Sequence, residues 1–417
     1  MKNPTKYLGN EMLYLEKVLN SESWSSTSGS WVKTLEESFA KKHSMKYAIA
    51  ANSGTSTLHA ALEAMDIKPG DEVIVPPLTV VMSTTSVIHA NAIPVYADVD
   101  RKTFNIDPDD VEKKITPKTK AIQAVAIYGL PPNLPKLREI ANKYKIGLIE
   151  DNAECVLSKV SCENVCEDCK SGCIREQKLA GTFGDFSSYS FENTKHISCG
   201  EGGMLLTNNS NYAERARKLC GHGFKNLGPS EGRVRLKAEV FQNPDYLRHD
   251  ELGWNYRMPE FNAAIALAQF ERVEELIRLR IESAKIFLEV MEDYDFFIPQ
   301  FTPAGYSNSY YTLGVVYEGE EQTGVSWKDV RKKYVENGGD GIYSCWATTY
   351  KEPVIRDGKY KYRYPEIYQN LHLEESNCPN AEYLQKRIMQ FKTNYRDLEL
   401  AKIKAEIFRK TLKQLFK

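Results

Sequence analysis

The chain has 417 residues, of which 42% are hydrophobic and 27% charged, and its formal net charge is -1. This length suits two domains with a shared interface, and the near-zero charge gives no indication of a nucleic-acid partner. No apolar run approaches the roughly 20 residues that span a bilayer, and the polar start predicts no signal peptide, so we expect a cytoplasmic protein without a membrane partner.

Short apolar runs alternate with helical patterns along the first half of the chain. The apolar runs predict strands over residues 47–50, 72–75, 93–96, 121–127 and 146–149. The helical patterns follow Ser53, Ser83, Asp107 and Asn133. This alternation predicts a mostly parallel sheet with helices on both faces. Ligands of such sheets bind beyond the carboxyl ends of the strands, where the sequence places Asp151.

The second half of the chain has a different pattern. It predicts a long helix over residues 259–289, a strand over 310–316 and a closing basic helix from Leu398. We therefore divide the chain into a large domain, residues 1–289, and a small C-terminal domain, residues 290–417. The large domain includes a cysteine-rich insert at residues 155–180.

Four sequence features, which follow one another along the chain, indicate a catalytic or ligand-binding site. Ser53-Gly54-Thr55 begins a helix, whose free N–H groups suit a phosphate, although the same residues also form ordinary caps. Asp151 ends a buried strand, where an acid needs a partner: a pyridinium nitrogen or a structural salt bridge. Lys195 follows Ser190, and a lone lysine is usually a solvated charge. Gly200–Gly203 precedes a strand, and its glycines allow close backbone approach.

The order and spacing of these features resemble the DegT/DnrJ/EryC1/StrS family of sugar aminotransferases, which have the fold-type-I scaffold. The similarity spans nearly the whole chain, and Ser190–Lys195 with Gly200–Gly203 is its most specific part. The resemblance implies an α/β fold: a large domain with a mostly parallel, seven-stranded sheet flanked by helices, and a smaller C-terminal α+β domain.

The resemblance also implies pyridoxal 5'-phosphate as the cofactor and a role for each matching residue. Lys195 is expected to hold the cofactor as a Schiff base and then to move the proton between the substrate carbon and the cofactor. Asp151 is expected to pair with the pyridine nitrogen. The phosphate is expected to bind at Gly54, Thr55 and Ser190.

Three further positions have candidate roles. Glu154 stands where the family usually has Gln beside the phenolic oxygen of the cofactor. Asn255 is expected to reach the phosphate in a neighbouring subunit, which makes the active protein a homodimer with shared sites. Arg257 is either a ligand for a substrate carboxylate or a structural arginine at the end of a helix.

The insert contains four cysteines in a C-x3-C-x2-C-x3-C pattern, at Cys162, Cys166, Cys169 and Cys173. Four thiolates this close suit tetrahedral coordination of a structural zinc ion. An iron–sulfur cluster, free thiols and disulfides remain alternatives. A metal ion there would stabilise a loop that is too small to have its own core.

The resemblance predicts an aminotransferase that moves an amino group from glutamate to a keto-sugar, generally nucleotide-linked, in surface-polysaccharide or secondary-metabolite biosynthesis. A basic stretch, residues 232–251, is either a nucleotide contact or a solvated loop. The alternatives are a small keto-phosphate or keto-cyclitol acceptor, a non-catalytic regulator that senses metal or cofactor, and a keto-deoxysugar 3-dehydratase. The dehydratases have histidine in place of the lysine, and here the lysine is in register, followed by His196.

Overall fold

The computed structural model describes residues 7–161, 177–234 and 236–416. The helices are α1 (Glu11–Leu19), α2 (Trp31–Lys42), α3 (Gly54–Ala64), α4 (Met82–His89), α5 (Pro108–Lys114), α6 (Leu134–Tyr144), α7 (Ser210–Cys220), α8 (Ala238–Gln242), α9 (Glu260–Phe270), α10 (Val273–Met291), α11 (Gly319–Thr323), α12 (Trp327–Glu336), α13 (Pro353–Arg356), α14 (Pro365–Tyr368), α15 (Pro379–Gln385) and α16 (Leu398–Leu415). The strands are β1 (Tyr47–Ala51), β2 (Glu72–Val75), β3 (Ile93–Tyr96), β4 (Thr119–Val125), β5 (Gly147–Asp151), β6 (Lys159–Val160), β7 (Lys178–Leu179), β8 (Phe186–Ser190), β9 (Gly203–Thr207), β10 (Phe297–Pro299), β11 (Leu313–Tyr317), β12 (Tyr343–Ser344) and β13 (Ile388–Phe391).

Seven strands form the large sheet, in the order β1-β9-β8-β5-β4-β2-β3. The pairs from β3 to β8 are parallel, whereas β9 is antiparallel to both β8 and β1. Successive residues of β2 point to opposite sides: Val73 and Val75 pack in one apolar cluster, and Ile74 packs in another that includes residues of α5 and α6. The predicted fold, a mostly parallel sheet flanked by helices, is confirmed.

The small sheet has the order β10-β11-β13-β12 and is antiparallel throughout. Its apolar face packs with side chains of α10, α12 and α16, among them Phe287, Tyr334 and Phe408. Helix α10 continues through residues 289 and 290 without a break. The division into domains at that point stays a prediction.

The prediction of a single helix over residues 259–289 is wrong, because the structure has two, α9 and α10. Arg272 leaves the helical conformation (φ -112°, ψ 15°), and α10 begins at the next residue. Glu271, beside the break, accepts hydrogen bonds from Asn10 Nδ2 (2.9 Å) and Tyr14 Oη (2.7 Å). No glycine or proline marks the break, so the sequence pattern did not reveal it.

The carboxyl ends of the central strands meet the start of α3. Asp151 ends β5, and Ser190 ends the neighbouring parallel strand β8. Strand β1 leads into α3 through Asn52 and Ser53. Residues that are distant in sequence therefore converge at one edge of the sheet. In the described ranges, no helix is both long and apolar enough to cross a membrane.

Candidate active site

Lys195 lies in the connection between β8 and β9, and its side chain is only 11% exposed. Its Nζ donates a hydrogen bond to Glu154 Oε1 (3.2 Å) and lies 4.3 Å from the centre of the Tyr311 ring. The main chain on either side is fixed by Arg280, whose guanidinium donates to the carbonyl oxygens of Thr194 (2.7 Å) and Lys195 (3.2 Å). The lysine that the sequence selects is thus buried and held in place.

The charge of Lys195 depends on two opposing effects. Burial lowers the pKa of the lysine, but the negative charge of Glu154, with smaller contributions from Tyr311 and Asp151, outweighs it and raises the pKa. Without a cofactor, Nζ is therefore an ammonium. A nucleophilic amine requires that this proton leave Nζ, and Glu154 Oε1 is an acceptor within hydrogen-bonding distance.

Asp151 is 3% exposed at the end of β5. Its carboxylate accepts hydrogen bonds from Ala153 N–H (3.1 Å) and Ser83 Oγ (3.3 Å). Burial raises its pKa to about 6, against the opposing effects of Ala153 N–H, Lys195 and Ser83. No salt bridge of Asp151 occurs in the part of the chain that the structure describes, so the structural salt bridge that was an alternative reading is absent there. A buried carboxylate without a cation in contact fits a protonated pyridine nitrogen.

The start of α3 is packed tightly against the ends of β8 and β9. Ser53 caps the helix, and its Oγ accepts from Ser56 N–H (3.1 Å). A Cβ at Gly54 would lie 2.9 Å from Ser190 Cβ, and one at Gly203 would lie 2.5 Å from Ser53 O. The first N–H groups of a helix, here those of Gly54 and Thr55, have no acceptor within it. With the positive end of the helix dipole, they fit a phosphate group next to Ser190.

The segment of Asn255 to Arg257 passes beside the same helix start. Asn52 N–H donates to Tyr256 O (2.7 Å), and Asn52 Nδ2 donates to Asn255 O (3.4 Å). The side chain of Asn255 is exposed. The main chain of Arg257 forms an isolated antiparallel β-bridge with that of Ala51. Burial lowers the pKa of the Arg257 guanidinium. Its Nη1 is buried with no hydrogen-bond partner, which an anionic ligand would supply.

Glu154 is 5% exposed and accepts a hydrogen bond from Lys195 Nζ through Oε1. Its second oxygen, Oε2, accepts from the N–H of Tyr128 (3.1 Å). Tyr128 has a positive φ of 61°, which is rare for an aromatic residue and costs conformational energy. The carboxylate of Glu154 therefore accepts from two donors, Lys195 Nζ and the N–H of Tyr128.

Several residues around Lys195 were missed by sequence reasoning. Ser83, Tyr311 and Arg280 each belong to a segment far from the lysine motif. For Arg280 a signal existed: it lies four residues from both Leu276 and Ala284, which are buried on one face of α10, so a charged residue occupies an apolar position.

The predicted zinc ligands Cys162, Cys166, Cys169 and Cys173 lie outside the described residues, and the zinc site stays a prediction. In the described part, one group of three side chains comes within metal-binding distance: His372, Glu374 and Glu375, which are partly or fully exposed and far in sequence from that insert. The remaining five cysteines are buried thiols: Cys155, Cys199, Cys220, Cys345 and Cys378.

Similarity to known proteins agrees with this geometry. Over 279 residues the chain is 37% identical to GDP-perosamine synthase of Escherichia coli O157:H7, which covers 67% of this chain and 68% of that one. Over 306 residues it is 32% identical to L-glutamine:2-deoxy-scyllo-inosose aminotransferase of Streptomyces kanamyceticus, covering 72% and 66% of the two chains. The crystal structure of an aminotransferase from Psychrobacter cryohalolentis superposes with a TM-score of 0.82 at 25% identity, over 100% of both chains.

A family model, described as the DegT/DnrJ/EryC1/StrS aminotransferase family, matches residues 7–404. That range contains every residue of the site described above and leaves out only the chain ends. The predicted resemblance is confirmed, and the chain belongs to the DegT/DnrJ/EryC1/StrS family of pyridoxal-phosphate-dependent aminotransferases.

Proposed function

We propose that this aminotransferase moves an amino group from glutamate to a keto-sugar carried by a nucleotide. The observation that carries the proposal is a buried set of side chains, Lys195, Glu154 and Asp151, beside the N-terminus of α3. The first N–H groups of that helix have no acceptor within it. The named activity of the similar E. coli protein, GDP-perosamine synthesis, supports a nucleotide-linked sugar as the acceptor. The product would serve the biosynthesis of a surface polysaccharide or of a secondary metabolite.

Each residue of the site would have a defined chemical role. When bound, pyridoxal 5'-phosphate supplies an electron sink for the carbon that loses or gains the amine. Lys195 Nζ, once neutral, would hold the cofactor and would move the proton at that carbon. Asp151, ionised above a pH of about 6, would hold a proton on the pyridine nitrogen. Gly54, Thr55 and Ser190 would bind the phosphate.

Arg257 is proposed to bind an anionic group of a substrate, in the first instance the carboxylate of glutamate. Its buried Nη1 without a hydrogen-bond partner supports this role, since an orphaned guanidinium donor is costly unless a ligand completes it. A guanidinium suits a carboxylate because it donates two parallel hydrogen bonds.

The 3-dehydratase alternative requires a histidine in place of the lysine. His196 is fully buried, and its Nε2 lies 3.0 Å from the carbonyl oxygen of Ser309. Burial, with a contribution from Arg280, lowers its pKa well below the ordinary value. This packing against Ser309 favours a structural role for His196 and leaves Lys195 as the group beside Glu154.

The test uses the purified, cofactor-loaded enzyme in two separate half-reactions. Glutamate alone should convert the bound cofactor to its amine form, seen as a change in absorbance, and the amine form should then aminate a nucleotide-linked keto-sugar, identified by mass spectrometry. Lys195→Ala should lose both the covalent attachment of the cofactor and the conversion. A wild-type cofactor that glutamate leaves unchanged would contradict the proposal and would favour the regulator.

The same screen should include a keto-cyclitol and a small keto-phosphate. The similarity to a protein named for a keto-cyclitol, 2-deoxy-scyllo-inosose, is the observation that favours the cyclitol as a second candidate. Amination of the cyclitol, with the nucleotide-linked sugars left unchanged, would replace the proposed acceptor and leave the proposed chemistry intact.

A further inference from the structure

The aromatic ring of Tyr311 lies against the amino group of Lys195. The lysine Nζ is over the face of the ring, 4.3 Å from its centre. The same Nζ donates a hydrogen bond to Glu154 Oε1 (3.2 Å). Because the side chain of Lys195 is only 11% exposed, protein atoms supply most of its surroundings. A carboxylate and the face of an aromatic ring are therefore the immediate neighbours of Nζ when the lysine carries no cofactor.

The ring of Tyr311 is fixed at both of its ends. Its hydroxyl lies 2.8 Å from Thr194 Oγ1. Since the hydroxyl of Thr194 donates its own hydrogen to Glu192 Oε2 (2.6 Å), Tyr311 is the donor in this bond. At the main chain, the carbonyl oxygen of Tyr311 accepts from Arg280 Nη1 (2.6 Å). The orientation of the ring towards Lys195 is thus set by the protein itself.

Both neighbours of Nζ favour the ammonium over the neutral amine. The face of an aromatic ring carries the negative part of its quadrupole and attracts a cation, and this attraction is stronger where water is excluded. The carboxylate of Glu154 acts in the same direction and is itself fixed by the N–H of Tyr128 (3.1 Å). Together they oppose the burial of Lys195, which favours the neutral amine.

Amino transfer would release Lys195 from the cofactor in each cycle. The donor's nitrogen takes the place of Nζ on the cofactor carbon: the bond from that carbon to Nζ breaks, and the two hydrogens of the donor's amine end on Nζ. The released amine then takes a proton from the donor carbon and becomes an ammonium. That step is faster when the ammonium has a stabilising position beside the reacting carbon.

We propose that Tyr311 is a positioning residue that holds the released Nζ of Lys195 on its ring face, next to Glu154, and so makes the lysine a stronger base. The ring is the active part of the side chain, and the hydroxyl serves to orient it through Thr194. The inference rests on the proposed function, in which Lys195 is the cofactor lysine.

The other charged groups around Nζ leave a pH range in which this effect can be measured alone. Burial raises the pKa of Asp151 to about 6, so this carboxyl is ionised above that value. Burial lowers the pKa of Arg280 to about 9 and that of His196 to well below its ordinary value. Between about pH 7 and pH 8.5 these three groups keep their charge states, and the neutral fraction of Lys195 changes.

The first measurement is the rate at which pyridoxal 5'-phosphate attaches to the cofactor-free protein. Attachment needs a neutral Nζ, which forms a C=N bond while the aldehyde oxygen leaves as water with the two hydrogens of the amine. Tyr311→Leu removes the ring and enlarges the neutral fraction, so attachment should become about 3- to 10-fold faster at each pH of this range. Tyr311→Phe keeps the ring and should restore the wild-type rate.

The second measurement is the conversion of the bound cofactor by glutamate, in which Lys195 would take the proton from the donor carbon. A weaker base should slow this step about 3-fold or more in Tyr311→Leu, with the KM for glutamate unchanged. The two rates thus move in opposite directions, whereas a loss of packing would slow both. Tyr343→Leu is the control: this tyrosine lines the same cavity as Tyr311, is 69% exposed, and should give wild-type rates.

Attachment that is unchanged or slower in Tyr311→Leu would overturn the proposal. Equal rates of Tyr311→Phe and Tyr311→Leu would also overturn it, because the hydroxyl would then be responsible. Glu154→Gln sets the scale and should accelerate attachment more than Tyr311→Leu, since Glu154 has the larger effect on the charge of Lys195.

Borohydride reduction of the loaded wild type, followed by peptide mass spectrometry, separates this inference from the proposed function. A cofactor attached to a residue other than Lys195 would contradict the proposed function and the inference with it. A cofactor attached to Lys195, together with rates that do not respond to Tyr311→Leu, would contradict the inference alone.

Discussion

Asp151 and Lys195 place two charges of opposite sign in a buried site without pairing them directly. Lys195 donates to Glu154, and Asp151 accepts from Ser83 and Ala153 N–H. Burial opposes the charged form of both groups. The ammonium of Lys195 is nevertheless stabilised overall, because Glu154 outweighs burial, whereas the charge of Asp151 is not. The pyridine nitrogen would give Asp151 a proton-bearing partner, so the cost of the Asp151 charge in the free protein favours cofactor binding.

Replacing Asp151 with Asn should stabilise the cofactor-free protein while abolishing amino transfer. Folding raises the pKa of this carboxyl from 3.8 to about 6. Between those values the folded protein holds a proton that the unfolded chain has lost, so the stability of the wild type falls as the pH rises through this range. Above pH 6 the full cost remains, on the order of 3 kcal/mol. The variant has no such cost.

Urea unfolding of both cofactor-free proteins between pH 5 and pH 8 measures this difference. The stability gap should widen as the pH rises towards about 6 to 7 and then stay constant, with Asp151→Asn the more stable protein. Ser83→Ala is the matched control, since it removes one hydrogen bond to the carboxylate but keeps its charge. A gap that is independent of pH would show that the carboxyl does not titrate in this range.

The start of α3 depends on two glycines because it is packed against main chain. At Gly203, in β9, an added Cβ would lie 2.5 Å from Ser53 O and 2.8 Å from Gly54 N, and neither atom can rotate away. At Gly54 the nearest atom is Ser190 Cβ, at 2.9 Å, and the nearest main-chain atom is Ser190 Cα, at 3.4 Å, so the required shift is smaller than at Gly203. The two positions thus differ in how far a side chain would move the helix from β8.

Gly203→Ala should therefore weaken cofactor binding more than Gly54→Ala. We expect the dissociation constant of pyridoxal 5'-phosphate to rise about 10-fold or more for Gly203→Ala and by a smaller factor for Gly54→Ala, measured by fluorescence titration of cofactor-free protein. Gly228→Ala is the control, because nothing lies within 4 Å of its Cβ position. Unchanged affinity in both site variants would mean that the phosphate does not bind at this helix start.

Local patterns predicted those parts of the site that lie within one motif. Asp151 follows an apolar run that became β5, and Lys195 stands at a fixed distance from Ser190. The partners of these residues come from distant segments: Ser83 follows a loop after β2, and Arg280 belongs to α10. No periodicity reports which distant side chain will pack against a given carbonyl, because tertiary packing decides it.

The sequence patterns also predicted the helices and strands only in part. The apolar runs located β2, β3, β4 and β5 of the parallel region, since these buried strands are nearly continuous in apolar residues. They did not predict β8, in which three of the five residues are serines. The break between α9 and α10 was not predicted, and Glu271 beside it binds Asn10 and Tyr14 of the first segment. A contact between residues more than 250 positions apart cannot be predicted from the local sequence pattern.

Apolar side chains are exposed on the surface beside the candidate active site. Leu252 is 90% exposed and Trp254 49% exposed, in the segment that leads to Asn255 and passes the start of α3. At the other end of the chain, Met12 of α1 is 76% exposed. Exposed apolar side chains next to a functional segment are typical of a surface that another protein covers. We propose that a second copy of the chain covers it, as the predicted homodimer requires.

A heterodimer of two inactive subunits tests whether the active sites are shared. Lys195→Ala removes the lysine, and Asn255→Ala removes the side chain that is predicted to reach the partner's phosphate. Co-expressed with two different tags and purified through both, the heterodimer should have one intact site of two, and hence about half the wild-type activity. The intact site combines Lys195 of one subunit with Asn255 of the other. If Asn255 instead serves its own subunit, neither site of the heterodimer is complete, and its activity should not exceed the mean of the two parent variants.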